Sequence, residues 1–274
     1  MASDIEVPEQ SDSLGRSAQR AFRVIEALSL SGPSSLGKLA KELGFHKSTV
    51  HHVLRTLQSC GYVAQDQESG AYRLTLKLFE VGYRVVAHTG LREQAFPYME
   101  ELMQETGETV WLAMLDEGEA IRVEKVESRA VMRLSALIGT RIPLHSTAAG
   151  KAILAGNYPL RWQRLLSTHL LPDGLLPAFT DRTITDLVRL EEEILKVRER
   201  GYAVDDEETT PRIRAIAAPI HDFRGEVTAA VSVAGPDFRL HRREFPEIGS
   251  KVMAAAQRIE TMSEECKGTL GTAT

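Results

Sequence analysis

The chain has 274 residues, a length typical of two domains, and its formal net charge at pH 7 is −5. Hydrophobic residues make up 43% and charged residues 26%, which indicates a globular protein. No apolar run approaches the roughly 20 residues of a membrane span, and the acidic start of the chain is no signal peptide. Only two cysteines occur, Cys60 and Cys266, at opposite ends of the chain. This excludes a disulfide framework and predicts a cytoplasmic protein.

The charge is unevenly distributed along the chain. Residues 15–90 contain ten Lys and Arg against five Asp and Glu, whereas the segments before and after them are net acidic. A basic first domain attached to an acidic body is typical of a module that contacts DNA.

Three helices are predicted near the N-terminus. The first spans about 17–29, where apolar residues recur at helical spacing. Ser34 or Ser35 can cap a second, short helix, and Gly44 stands where a left-handed residue ends one. The third helix begins near Lys47 and stops at Gly61. Two short helices joined by a turn that contains glycine predict a helix-turn-helix.

A small hairpin and a further helix follow. Residues 62–64 and 72–74 flank a polar turn, at the place where a winged helix has its wing. Residues 76–88 again show helical periodicity, and we interpret this segment as a linker helix that also pairs subunits.

The second half mixes strands with helices. Strands are predicted at 110–115, 120–126, 202–204, 213–220 and 227–233, with Glu117-Gly118 as a hairpin turn. Helices are predicted through Met103 up to Gly107 and at 146–155, 184–200 and 240–262. This order indicates an α+β domain with an antiparallel sheet flanked by helices.

These elements give a domain layout. We expect a disordered tail at 1–14, a winged helix-turn-helix domain at 15–76, a linker helix at 77–90, an effector-binding domain at 91–264 and a tail at 265–274.

The third helix has a face suited to reading DNA. With its apolar residues inward, a wheel of about 100° per residue places short hydroxyls, imidazoles and a guanidinium outward. From Lys47 to Gly61 there is no acidic residue, as expected of a surface that meets phosphate. The candidate DNA-binding residues are Lys47, Ser48, Thr49, His51, His52 and Arg55, with Lys38 and Arg73 as candidate phosphate contacts.

This helix also has simpler interpretations. The segment could be a small helical bundle whose polar face is accidental, and Lys38 and Arg73 could be ordinary surface charges. A metal site is not expected, because adjacent His51 and His52 point about 100° apart and have no third ligand nearby. No cofactor is expected.

Several motifs together resemble the IclR family of bacterial regulators. In the first half these are SAQRA at 17–21, LGKLA at 36–40 and HKSTVH at 46–51. In the second half they are GETV at 107–110, PLHSTAAGKA at 143–152, GYAVDDEE at 201–208, IAAPI at 216–220 and SVAGP at 232–236. The resemblance implies a winged helix, a linker helix and a GAF/profilin-like effector domain. It also implies dimers or dimers of dimers on palindromic operators, and small organic acids from catabolic pathways as effectors.

A run of tiny residues at 146–150 predicts where the effector binds. It opens a helix whose first N–H groups lack intrahelical partners, and small side chains would let an anion approach them. Close helix packing is the alternative explanation of the same run.

The resemblance implies a pocket formed by Leu134, Ile142, Ala148, Ala149, Asp205, Ile213, Ala215 and Ser232. In well-studied relatives a cysteine often stands at the position of Ala215 and a serine at that of Ala234. Without these polar groups the pocket is roomier and more apolar, which favours a monocarboxylate with an aliphatic or aromatic body over glyoxylate or pyruvate. Asp205 could instead be a structural cap.

Two other classes of function are alternatives, an enzyme and an oligomeric scaffold. A hydrolytic site could be formed by His145, Ser146, Asp205 and Ser232, but the sequence has no nucleophile-elbow pattern. An oligomeric scaffold without DNA binding would show no salt-dependent retention on DNA. We therefore expect a transcription regulator that is not an enzyme. Effector binding would shift the arrangement of its paired DNA-reading helices. Repression and activation both fit this mechanism.

Overall fold

The computed structural model describes residues 10–131, 136–167 and 169–270. The chain divides into two compact units, with the boundary between Val85 and Val86. No helix among the described residues is long and apolar enough to cross a membrane.

The first unit contains three helices and a two-stranded sheet. They are α1 (Gln10–Ser31), α2 (Leu36–Leu43), α3 (Lys47–Ser59), β1 (Val63–Gln65) and β2 (Tyr72–Leu74). Their buried core includes Val24, Leu28, Leu39, Val50, Leu54 and Leu57. The helix α1 begins before the predicted residue 17, so residues 10–14 are helical rather than part of a disordered tail. Residues 1–9 of that predicted tail lie outside the described residues.

Local capping explains the helix-turn-helix. Ser35 is the N-cap of α2, and its side chain accepts a hydrogen bond from the Lys38 N–H. Gly44 ends α2 with φ +67°, which favours glycine. The turn is held to α1 by Phe45, whose ring centroid lies 4.7 Å from the Arg23 guanidinium carbon. The orientation of α3 therefore depends on both preceding helices.

The wing is an antiparallel hairpin, as predicted. Val63 lies opposite Leu74 in β1 and β2. Tyr72 also exchanges two backbone hydrogen bonds with Ser34, of 2.9 and 2.8 Å, so the wing is attached to the segment that leads into α2.

The helix α4 (Lys77–Ala87) follows the wing and spans the boundary between the units. None of its residues is buried. It carries exposed apolar side chains, including those of Phe79, Val81, Tyr83 and Val85.

The second unit is built on an antiparallel six-stranded sheet, ordered β5-β4-β3-β8-β7-β6. Its strands are β3 (Thr109–Asp116), β4 (Glu119–Val126), β5 (Arg141–Ile142), β6 (Ala203–Asp206), β7 (Ile213–His221) and β8 (Val227–Pro236). Its helices are α5 (Leu91–Thr106), α6 (Ala148–Gly156), α7 (Trp162–Leu166), α8 (Leu187–Arg200) and α9 (Phe245–Leu270). The predicted hairpin turn is confirmed, with φ values of +46° at Glu117 and +90° at Gly118.

In this unit two short elements were not predicted, and the predicted boundaries of two helices were wrong. The strand β5 and the helix α7 were not predicted, because two and five residues are too short to show periodicity. The helix α6 begins at Ala148 rather than residue 146, since Thr147 is its N-cap. The last helix begins at Phe245 rather than residue 240, after a single 3-10 turn, and continues to Leu270 rather than ending at residue 262.

The two faces of the sheet carry different side chains. One face packs against α5 and α9 through large apolar residues such as Leu112, Val231 and Val233. The opposite face, which packs against α6 and α8, presents small residues such as Ala113, Ala217 and Ala230. Because side chains alternate along a strand, β8 supplies Val231 and Val233 to one face, and its residues 230, 232 and 234, which are alanine or serine, to the other. Small side chains leave unfilled volume on the second face.

Candidate functional sites

A cavity of about 370 Å³ lies between this small-residue face of the sheet and the start of α6. Seven of the eight predicted effector residues line it: Ile142, Ala148, Ala149, Asp205, Ile213, Ala215 and Ser232. The eighth, Leu134, lies outside the described residues. Sequence reasoning missed other lining residues, which include Trp111, Arg122, Arg141, Phe179 and Thr209. Trp111, Arg122 and Arg141 lie on strands, and their place in the cavity depends on the sheet register; Phe179 and Thr209 lie on loops that folding brings to the cavity.

The floor of the cavity follows from the register of three strands. Trp111 on β3 lies opposite Ser232 on β8, and Ala215 on β7 lies opposite Ala234 on β8. Directly opposite residues share one face of a sheet, so these four side chains form a continuous surface. The two alanines have short side chains and leave space above the sheet. This agrees with the larger pocket that the sequence predicts from their small size.

The run of tiny residues at the start of α6 serves two purposes. Ala148 and Ala149 line the cavity, and as first residues of the helix their N–H groups have no partners within it. A Cβ atom on Gly150 would lie 2.4 Å from the Leu144 Cα, so glycine is required there by close packing. Ser146 is buried and accepts a hydrogen bond from Thr209 Oγ1. The packing explanation thus applies to Gly150, and the anion site at Ala148 and Ala149 stays a prediction.

Asp205 is both a turn residue and a cavity residue. Its Oδ1 accepts hydrogen bonds from the Glu208 N–H at 2.7 Å and the Thr209 N–H at 3.3 Å, which caps the turn after β6. Burial raises the pKa of Asp205, while the Thr209 hydrogen bond and the charge of Lys151 act in the opposite direction. Asp205 thus stabilises the turn and also lines the cavity.

Behind Asp205 lies a buried ion pair. Lys151 on α6 is 1% exposed, and its Nζ donates a hydrogen bond to Glu208 Oε1. Burial raises the pKa of Glu208 to about 7, although Lys151 opposes this shift. The pair joins α6 to the turn that follows β6.

Two arginines of the described residues line the cavity. Arg122 on β4 is half-buried; its guanidinium carbon lies 4.9 Å from the Trp111 ring centroid, and its Nη1 donates to Thr140 Oγ1 at 3.2 Å. Burial lowers the pKa of Arg122, and the charge of Asp205 raises it. Arg141 on β5 is more exposed and is paired with acidic residues. The cavity is therefore less apolar than the sequence predicted.

The geometry of the polar residues does not suit hydrolysis. His145 Nε2 lies 2.9 Å from the Pro177 carbonyl oxygen, and its ring stacks on Phe179. Ser146 is bonded to Thr209. Among these described residues no serine is hydrogen-bonded to a histidine, so no nucleophile and base are paired.

In the first unit, α3 presents a polar face opposite its buried valines and leucines. Lys47, Ser48, His51, His52 and Arg55 are exposed, and Thr49 is half-buried. Lys38 is exposed on α2 and Arg73 on β2, so these two candidates do not belong to the α3 face itself.

A concavity of about 340 Å³ adjoins this face, and sequence reasoning missed it. Ser48, Thr49 and His52 of α3 line it together with Ser17 and Arg20 of α1. The polar surface of α3 therefore continues onto α1.

The comparisons with known proteins identify the family. Residues 17–67 match the IclR helix-turn-helix domain, and residues 83–261 match the C-terminal domain of bacterial transcriptional regulators of the IclR type. The chain belongs to the IclR family. The HTH-type transcriptional regulator BhcR of Paracoccus denitrificans is 35% identical over 244 residues, which cover 89% of this chain and 86% of that protein.

Solved structures agree with this assignment to the IclR family. A putative transcriptional regulator from Rhodococcus sp. RHA1 has a TM-score of 0.79 and 28% identity, and the match covers 92% of this chain and 99% of that one. An IclR homologue from Microbacterium hydrocarbonoxydans, solved with 4-hydroxybenzoate, shares the fold, with a TM-score of 0.77, 24% identity and coverage of 91% and 99%. The chain is thus a DNA-binding transcription regulator with an effector-binding domain, and not an enzyme.

Proposed function

We propose that residues 15–76 bind operator DNA through α3, that residues 77–90 form a linker helix, and that residues 91–264 bind the effector. The observation that carries the DNA-binding assignment is the exposed face of α3, which combines hydroxyls, imidazoles and cations without any acidic residue. Lys47, Ser48, Thr49, His51, His52 and Arg55 contact the operator. Lys38 and Arg73 contact phosphates, since they lie on neighbouring elements.

The regulator acts in the bacterial cytoplasm as a dimer or a dimer of dimers on a palindromic operator. Support comes from α4, on which no residue is buried although Phe79, Val81, Tyr83 and Val85 are large and apolar. Pairing of this helix with a second copy would remove these side chains from water. A twofold dimer places two α3 helices on two symmetric half-sites.

The effector is a small organic acid with an apolar body, and the regulated genes form a catabolic operon. The cavity supports this assignment because it combines the N-terminus of α6, which favours a carboxylate, with apolar walls. The carboxylate binds at Ala148, Ala149 and Ser232. A protein of the same fold, from Microbacterium, was solved with an aromatic acid.

Effector binding and operator binding are linked through the arrangement of the subunits. The effector favours one arrangement of the effector domains, and the linker helices transmit it to the distance between paired α3 helices. The change in operator affinity is limited to the difference in effector affinity between the two arrangements. Repression and activation both obey this relation.

The DNA-binding assignment is tested with operator fragments recovered by selection from random DNA. Arg55→Ala should lower affinity for the selected sequence by about 1–3 kcal/mol and relax its discrimination. Lys38→Ala is the matched control: it should weaken all sequences alike and lower the salt slope by about 1. Footprinting should show two symmetric half-sites. Unchanged discrimination by Arg55→Ala, or a single short asymmetric footprint, would contradict the assignment.

A further inference from the structure

The tip of the wing is acidic, which makes it poorly suited to contact DNA. Asp66 and Glu68 lie in the turn between β1 and β2. The hydroxyl and the N–H of Ser69 donate to Asp66 Oδ1, at 2.6 and 2.8 Å, and these hydrogen bonds lower the pKa of Asp66. The carboxylate is therefore ionised at neutral pH and repels phosphate. Contacts with the DNA backbone, beyond that of Arg73, are expected elsewhere in the first unit.

The concavity of about 340 Å³ between α1 and α3 has the opposite character. The helix α3 contributes Ser48, Thr49 and His52 of its polar face, and α1 contributes Ser17 and Arg20. None of the described residues that line the concavity is acidic. Hydroxyl and guanidinium groups are side chains with which proteins hold DNA phosphates. The lining therefore suits an anion, and it is continuous with the face of α3 that we assign to the operator.

Arg20 supplies the positive charge of this concavity. It is half-buried, and its guanidinium carbon lies 5.9 Å from the ring centroid of Phe45, in the turn between α2 and α3. In the part of the chain that the structure describes, no carboxylate lies at ion-pair distance from Arg20. Its charge is thus available to a ligand in the concavity, and partial burial strengthens the attraction because water screens it less.

Arg23, one turn further along α1, has a different surrounding. Its guanidinium carbon lies 4.7 Å from the same Phe45 ring, and its Nη2 donates to the Leu43 carbonyl oxygen at 3.5 Å. Arg23 does not line the concavity. It holds α1 to the turn, whereas Arg20 presents its charge beside the polar face of α3. The two arginines therefore form a matched pair for an experiment.

We propose that the concavity binds one phosphate of the DNA backbone, beside the groove that α3 enters, and that Arg20 is the principal contact. This inference rests on the proposed function, in which α3 contacts the operator. Arg20 forms a two-pronged hydrogen-bonded pair with the phosphate oxygens, and the hydroxyl of Ser48 donates to the same group. Phosphates are alike in every sequence, so this contact fixes the position of α3 on the DNA but selects no base.

Salt dependence and phosphate mapping test this site on the full chain. The probes are the selected operator fragment and a random fragment of the same length. Each phosphate contact contributes about 0.9 to the slope of log affinity against log salt, so its loss lowers affinity about 8-fold near 0.1 M salt. Arg20→Gln should show this loss on both fragments, with a slope smaller by about 0.9. Interference by ethylated phosphates should disappear at one position in each half-site.

Two further variants separate phosphate binding from structure. Arg20→Lys keeps the charge but loses the forked geometry, so it should keep the salt slope and recover part of the affinity. Arg23→Gln removes the same charge one turn away and should keep both the salt slope and the complete interference pattern, even if loosening of the turn at Phe45 lowers affinity. Circular dichroism checks the folding of each variant.

The outcomes distinguish this inference from the proposed function. If Arg20→Gln keeps the wild-type slope and interference pattern while Arg55→Ala relaxes discrimination, the phosphate site is refuted and the contact of α3 with the operator survives. The site is also refuted if Arg20→Gln changes discrimination among sequences, since Arg20 would then contact a base, or if Arg23→Gln lowers the slope equally. If Arg55→Ala leaves discrimination unchanged, the assignment of α3 fails first, and the place of the concavity beside the groove fails with it.

Discussion

Replacing Lys151 with methionine should destabilise the effector-binding unit by an amount that depends on pH. Lys151 is buried and pairs with Glu208. The other Glu208 oxygen, Oε2, is buried and has no hydrogen-bond partner among the residues that the structure describes. Methionine has a similar length and no charge, so it fills the space but removes the ammonium group. Loss of one partner from a buried ion pair costs about 3–5 kcal/mol, because the remaining charge is left without compensation.

The pH dependence follows from the pKa of Glu208. Burial raises this pKa from 4.5 to about 7 in the folded protein, and Lys151 opposes the rise. A carboxyl whose pKa is raised by folding holds its proton more tightly when folded, so folding stability falls by ~1.4 kcal/mol per pH unit between the unfolded and folded values. In the wild type this fall ends near pH 7. Without the ammonium group the folded pKa lies higher, and the fall continues.

The stability difference between Lys151→Met and wild type should therefore be smallest at pH 5, where Glu208 is neutral in both folded proteins. It should grow by about 1 kcal/mol between pH 7 and pH 8, because Glu208 of the wild type is still losing its proton over the first part of this range. Asp205 adds to the effect in the same direction, since burial raises its pKa and Lys151 lowers it. The double variant Lys151→Met/Glu208→Gln removes the titration of Glu208 and isolates its share.

Urea unfolding followed by tryptophan fluorescence measures this difference. The chain contains two tryptophans, Trp111 and Trp162, and both lie in the second unit, so the signal reports that unit alone. A stability difference that stayed constant from pH 5 to pH 8 would refute the reasoning. So would a double variant whose pH dependence equals that of Lys151→Met.

Three further predictions concern the same unit. Ala149→Leu, which enlarges a cavity-lining residue, should abolish the heat of effector binding and the effector response but keep operator binding; a persisting response would count against the α6 site. Gly150→Ala should destabilise the unit by about 1–3 kcal/mol, because its Cβ would meet backbone. The control Gly82→Ala lies in the first unit and meets open space, so it should not destabilise that unit. Urea unfolding followed by circular dichroism reports both units, and a Gly150→Ala protein as stable as the wild type would be inconsistent with this packing. The hydrogen bond with Glu260 raises the pKa of His221, so this pair should stabilise the fold slightly below pH 6.5 and lose that effect as the pH rises through the raised pKa. Glu260→Gln should show no such loss of stability in the same assay.

The sequence predicted most of the architecture because its local signals agreed with each other. Helical periodicity, the serine and glycine caps and the turn at Glu117-Gly118 each depend on a few neighbouring residues, and the structure confirms the elements that they predicted. Failures occurred where the local signal was weak. The strand β5 has two residues, and it forms by pairing Ile142 with Ala120, a contact distant in sequence.

The candidate site was predictable only in part. Ala148, Ala149 and Asp205 were found through a motif, because they lie in continuous segments that resemble the family. Trp111 and Arg122 gave no such signal, since each looks like an ordinary strand residue in its own segment. Their place in the cavity depends on which strands are neighbours and in which register.

The sequence by itself determined the two-domain order, the helix-turn-helix, the polar face of α3 and the antiparallel character of the second domain. These properties follow from side-chain periodicity and capping, which act over a few residues. Only the tertiary structure decided the charge of the effector cavity. Arg122 and Arg141 are similar in the sequence, but packing pairs Arg141 with Asp116 and Glu119, whereas Arg122 stacks on Trp111 and interacts with the charge of Asp205. The physical reason is that Coulomb energy depends on distances between residues far apart in the chain, and folding alone sets those distances.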